Sequence, residues 1–170
     1  MFGSGINVET IIAICAVIIS TLSMAFTIIF SLLQVQHNRN SVKPICYIRI
    51  GDYEDCLFVE IDNVGTGPLT IKKFNAIKGT DIKHDLISLM PSDLNQYWST
   101  FTTNIEGMTI PINGKIKIIE ISPSNNQNRT KVRNALKDIT IYVEYSDIYN
   151  RKFTDEKALG FFGRHDIDQE

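Results

Sequence analysis

Apolar positions fall into two regimes along this chain: one long uncharged block, then short alternations broken by turns. From Ile11 to Leu33, 23 consecutive residues carry no charge. At about 1.5 Å per residue a helix of that length spans roughly 34 Å, enough for the ~30 Å hydrocarbon core of a bilayer. Plotted at about 100° per residue, the block is not uniform. Ala13, Ala16, Ser20, Ser23, Thr27, Ser31 and Gln34 share an arc of roughly 80°, and Ile14, Val17, Ile18, Leu22, Phe26, Ile29 and Leu32 cover the other sides. Small residues let backbones approach, and hydroxyls can bond across a helix pair. The stripe Ala13, Ala16, Ser20, Ser23, Thr27 and Ser31 therefore predicts self-association in the membrane. The competing reading has each hydroxyl bond the carbonyl four residues earlier in its own helix.

Beyond the block, strand signals dominate. Residues 45–51 read as a first strand, and "CLFVEIDNV" alternates with Leu57, Val59 and Ile61 on one face. "GTGP" breaks that run and "LTIKKFNAIK" resumes it. "MTIPI" and "KIKIIEIS" flank Asn113-Gly114, the pattern of a hairpin, with Pro111 marking a sheet edge. Ile116 and Ile118 share one parity while Ile119 and Ile121 take the other, which predicts a bulge. "ITIYVEYSD" turns Ile139, Ile141, Val143 and Tyr145 inward, and a turn near Tyr149-Asn150 leads to a last strand. Helical spacing predicts three short helices: Ile82, Leu86, Leu89 and Met90 before Pro91; Leu94, Tyr97, Trp98 and Phe101 after an N-cap at Ser92; and Val132, Ala135 and Leu136 within 129–137. The expected fold is mainly β, an antiparallel sandwich-like domain with two or three short helices behind one transmembrane helix.

Charge fixes the direction of insertion. No Lys or Arg precedes the block and Glu9 is its only acidic flank, whereas Arg39, Lys43 and Arg49 follow it. The positive-inside rule then puts the N-terminus outside and the C-terminal domain in the cytoplasm of a bacterial inner membrane. A cleaved signal peptide would need a basic leader, a shorter apolar core and a small-residue cleavage site. The resulting division is 1–10 external, 11–33 transmembrane, 34–44 a basic connector, and 45–170 a cytoplasmic β-rich domain. In that compartment the sequon at Asn128–Thr130 is coincidental. The whole chain carries a formal charge of −2, which argues against generic DNA or RNA binding.

Little in the sequence carries catalysis. Cys15, Cys46 and Cys56 give no C-x-x-C spacing, and His37, His84 and His165 are scattered, so neither a disulfide framework nor a metal site is expected. No nucleophile elbow, zinc-protease or phosphate-loop motif occurs, and "GTGP" precedes a strand rather than a helix, which suits a tight turn. Asp52, Glu54 and Asp55 read as solvated turn acids. The expectation is a non-enzymatic protein without a cofactor. Arg129, Arg133 and Lys137, at i, i+4, i+8, could hold phosphates through guanidinium forks; a solvated face drawn to anionic headgroups is the alternative. Lys72 and Lys73 form a second basic pair, and Trp98 is either a base-stacking platform or core.

"HNRNSVKP", "NVGTGP" and "YSDIYNRKF" resemble a loose group of small bacterial proteins with one N-terminal membrane helix and a cytoplasmic β-sandwich. That resemblance implies a fold and assigns no site. The architecture is also similar to membrane effectors of bacterial antiviral systems, CRISPR-associated ones included, in which a cytoplasmic domain senses a cyclic nucleotide. It implies a homo-oligomeric effector that binds an anionic signal, such as a cyclic oligoadenylate, through Lys72, Lys73, Trp98, Arg129, Arg133 and Lys137. The alternative is a membrane-tethered adaptor that recruits a protein partner without a small ligand.

Overall fold

The structure is a computed structural model describing residues 7–93, 98–122 and 126–164. It divides into two units, residues 1–41 and 42–170. The first is one helix, α1 (Val8–Ser41), with no buried residue and an uncharged stretch long and apolar enough to cross a membrane. The helix continues through 34–41, which the sequence reading gives to a connector. No proline or glycine interrupts it there, so the i→i−4 ladder persists until Pro44 approaches. Only 42–44 remain as a link.

The second unit is two antiparallel sheets. One has the order β1 (Cys46–Asp52), β2 (Leu57–Asn63), β7 (Lys115–Ile121) and β5 (Trp98–Phe101). The other runs β4 (Asp81–Lys83), β3 (Leu69–Lys78), β8 (Ile139–Ser146) and β9 (Lys152–Ala158), with the two-residue β6 (Thr109–Ile110) also on β3. Alternation along β2 and β8 buries Leu57, Val59 and Ile61 from one sheet against Ile141 and Val143 from the other, in a single core that also holds Phe74 and Phe162. The expected bulge exists: Val59 faces Ile119 and Glu60 faces Lys117, leaving Ile118 as the extra residue. Both Ile118 and Ile119 are thereby buried.

Three local expectations differ. Residues 81–83 form a strand instead of a helix, because Gly79 at φ +59 closes a two-residue turn that pairs Lys78 with Asp81. Leu86 and Met90 are buried as expected, but around a 3-10 turn at Ile87–Leu89, and Ile82 is exposed. Residues 98–101 are strand β5 on the open edge of β7; Leu94 and Tyr97 lie outside the described residues. Spacing alone could not separate helix from strand there, and a ready sheet edge decides it. Asn113-Gly114 does make a turn, with Asn113 at φ +57, yet β6 and β7 do not pair with each other. Pro111 lacks an N–H, only two residues of "MTIPI" join a ladder, and the turn carries the chain from one sheet to the other.

The remaining helix, α2 (Asn126–Leu136), buries Val132, Ala135 and Leu136 as expected. It joins the far end of β7 to the start of β8. It therefore sits at the end of the sandwich opposite Val42, where the chain comes in.

Candidate functional site: an arginine cluster on Asp52

The sequence reading leaves Arg129 and Arg133 either as phosphate ligands or as a solvated face of α2, and puts Asp52 in a wet turn. The solvated face and the wet turn are both corrected. The Asp52 side chain is fully buried at the end of β1, and the Arg129 and Arg133 side chains are 13% and 17% exposed. Arg133 meets Asp52 as a fork, Nε and Nη2 each donating at 2.9 Å to one carboxylate oxygen. Arg129 Nη1 lies 3.7 Å from Oδ1, and its Nη2 donates to the Glu54 carbonyl.

A third guanidinium completes the set. Arg164 follows the C-terminal 3-10 turn Gly160–Gly163, donates to Asp52 Oδ2 at 3.1 Å, and lies 3.7 Å from the Phe161 ring centroid. Its Nη1 is buried without an acceptor among the described residues. Three cations converge on one carboxylate, so these four groups carry an excess of positive charge in a partly desolvated place. Coulombic effects are strongest in such surroundings. No sequence spacing links Arg164 to α2; only its neighbours Phe161 and Phe162 hint that this segment packs.

The other candidate residues are dispersed. The Lys137 N–H donates to the Arg133 carbonyl at the end of α2. Lys72 and Lys73 are exposed at the bulge of β3, with Lys73 in register with Glu144. They lie on the other sheet, five or six residues (about 16–20 Å of strand) from the end of β3 near α2. Trp98 packs partly against the core in the row Asp52, Leu57, Ile121, Trp98, so it shares the cluster's end of the sandwich. Its indole N–H is buried without an acceptor among the described residues.

At the opposite end, "NVGTGP" is a clamp. Asn63 is buried, and its Nδ2 donates to the carbonyls of Gly67 at 2.7 Å, Ile110 at 3.1 Å and Pro111 at 3.2 Å. Its Oδ1 accepts from the N–H of Gly65 at 3.1 Å and of Ile45 at 3.4 Å. A Cβ at Gly67 would overlap the Val42 carbonyl, and one at Gly65 the Ile45 nitrogen. The motif thus holds the incoming segment against the sandwich.

Beside it, a polar cavity of about 310 Å³ opens between Arg49, Asp62 and Lys115. Arg49 Nη2 is 2.5 Å from Asp62 Oδ2, and Lys115 Nζ is 3.1 Å from buried Glu60. Burial, then the charge of Glu60, pushes the Asp62 carboxyl up against the opposing pull of Arg49 and Lys115. Burial, then Asp155 and Asp62, pushes the nearby Cys46 thiol up to about 12, which makes it an inert core thiol.

In α1, Ser20 Oγ donates to the Ala16 carbonyl at 2.7 Å and Thr27 Oγ1 to the Ser23 carbonyl at 2.8 Å. Both hydroxyls keep lone pairs that accept from a neighbour, so internal bonding and a packed seam are compatible. Among the described residues no group of three or more His, Cys, Asp and Glu is placed to hold a metal ion. Comparison with protein-family models and with curated proteins finds no match.

Proposed function

We propose that this chain is a non-enzymatic, single-pass effector of the bacterial inner membrane, with its sandwich in the cytoplasm and its helices associated along the hydroxyl stripe. The sandwich takes an anionic signal at Arg129, Arg133 and Arg164. One observation carries this reading: three guanidiniums share a single buried carboxylate, and the Arg164 Nη1 is left without an acceptor among the described residues. A phosphate group supplies the acceptors that Asp52 cannot, and guanidinium forks match its oxygens. The cluster joins β1, α2 and the C-terminal turn, so a ligand that competes for these arginines has a route to altering how those three segments pack. Such a ligand shifts the assembly only as far as it binds one state better than another.

A cyclic oligonucleotide such as a cyclic oligoadenylate, acting in antiviral defence, is the first candidate. It presents several phosphates, and Trp98 lies at the same end of the sandwich. Titration calorimetry on full-length protein in nanodiscs tests this. Saturable heat that Arg129→Gln abolishes supports the site, and flat traces at millimolar ligand exclude it.

The adaptor reading rests on the outer edge of β5, which pairs only with β7 among the described residues and exposes Phe101. A partner strand adding there makes Thr100→Pro disruptive and Arg129→Gln silent, the reverse of the ligand-binding pattern.

A further inference from the structure

The end of the sandwich where the chain comes in differs in character from the opposite end. Four segments meet there and are tied to one another. Val64 N–H donates to the Ile45 carbonyl, Thr66 N–H to Lys43, and Asn113 N–H to Asn63. Lys43 Nζ sits 5.3 Å from the centroid of Phe153, beside the β8–β9 turn. The tips of this surface are apolar: Val64, Ile112, Ile148 and Tyr149 are between 44% and 56% exposed. Its exposed charges are basic, at Lys43, Lys115 and Lys152, of which Lys115 pairs with buried Glu60 and Lys152 with the half-buried Glu144 at 2.8 Å, while Asp62 and Asp147 are buried. The exposed acids among the described residues of the sandwich lie away from these tips. Glu54, Asp55, Asp81 and Asp138 are on turns of the far end, Asp93 beside Lys131 of α2, Glu156 along β9 and Glu106 beside Phe74 in the middle of β3.

We infer that this end of the sandwich is a membrane-surface contact, with Val64, Ile112, Ile148 and Tyr149 entering the headgroup layer of an anionic bilayer and Lys43, Lys115 and Lys152 facing its phosphates. The inference rests on the reading of α1 as a membrane span. Covalent reach supports it, because eight helical residues, 34–41, separate the apolar block from Val42. They extend roughly 12 Å, against a headgroup layer of about 5–7 Å and a Debye length of about 8 Å. The basic residues thus remain within the field of anionic lipid, and apolar tips beside cations suit the interface between water and acyl chains. A ligand at the arginine cluster and the bilayer would then occupy opposite ends of one sandwich.

The test is fluorescence of the full-length protein in vesicles of phosphatidylcholine with phosphatidylglycerol, some lipids carrying a headgroup nitroxide. Trp98 is the only tryptophan, and it lies at the far end, so the native chain is the control. Trp98→Phe with Tyr149→Trp moves the probe to the tip. If that pair folds poorly, Tyr149→Trp alone reads the tip by difference. The tip probe should lose roughly half or more of its emission, as a headgroup quencher reaches across that layer, while native Trp98 keeps its own. Lys43→Gln with Lys152→Gln, or about 0.5 M salt, should reduce the quenching. A tip probe quenched no more than Trp98 overturns the inference. Blue-shifted but unquenched emission also overturns it and assigns the surface to a second copy or another protein. Loss of the protein from carbonate-washed vesicles rejects the membrane span itself and the inference with it.

Discussion

Asn63, Asp147 and Asp62 show how much single buried polar groups decide here. Asn63→Ala strips five hydrogen-bonding groups of their common partner and should cost about 3 kcal/mol, read by denaturant unfolding in detergent. Asp147 organises the β8–β9 turn by accepting from the N–H groups of Tyr149 and Arg151 and from Arg151 Nε at 2.6 Å. Burial raises its carboxyl, yet these bonds outweigh burial and hold it below the ordinary value of 3.8. Its contribution is therefore complete above that value and disappears as pH falls through the depressed one. Asp147→Asn should lower stability at pH 7 by about 2 kcal/mol and flatten the acid limb of a melting-temperature profile. Asp62 has the opposite sign: its raised carboxyl favours the fold most in acid, and that contribution is lost as pH rises through the raised value. The alternation of β2 announces buried Val59 and Ile61, but nothing local announces that Glu60 and Asp62 are buried on its other face. Arg49 and Lys115 cover them, and that cover depends on sheet neighbours.

Among the elements, β8 and α2 were legible because one period runs through each without interruption. The stretch 92–101 was not, since four apolar residues at helical spacing also suit a strand once an open edge is available. The hairpin signal at Asn113-Gly114 located the turn correctly, but which sheet each flank joins depends on Leu69 and Val59, far away in sequence. The arginine cluster was half legible: the i, i+4 pair was evident, while Asp52 and Arg164 come from opposite ends of the domain. Asp52→Asn leaves three guanidiniums facing one another and should destabilise the sandwich by about 3–5 kcal/mol. Arg129→Gln, which spares the Arg133 fork, should cost about 1 kcal/mol by the same denaturation assay. In α1, Ser20→Leu with Thr27→Leu removes the small, hydroxyl-bearing centre of the stripe. Interhelical polar contacts contribute about 1–2 kcal/mol, so the proposed assembly should weaken roughly tenfold or more in native mass spectrometry from nanodiscs while insertion is kept. An unchanged oligomer would assign those hydroxyls to their own helix.

For the molecule as a whole, the block of 23 uncharged residues and the cationic flank after it organise everything else. They leave one modest β domain joined to the helix through residues 42–44, and on the proposed reading that domain lies in the cytoplasm. The most direct measurement is a pair of C-terminal reporter fusions, green fluorescent protein and alkaline phosphatase, expressed in a bacterial host. A cytoplasmic sandwich predicts a fluorescent first fusion and an inactive second. Active phosphatase with a dark fluorescent protein would place the sandwich outside the cell and contradict both the proposed cytoplasmic ligand and the proposed inner-leaflet contact.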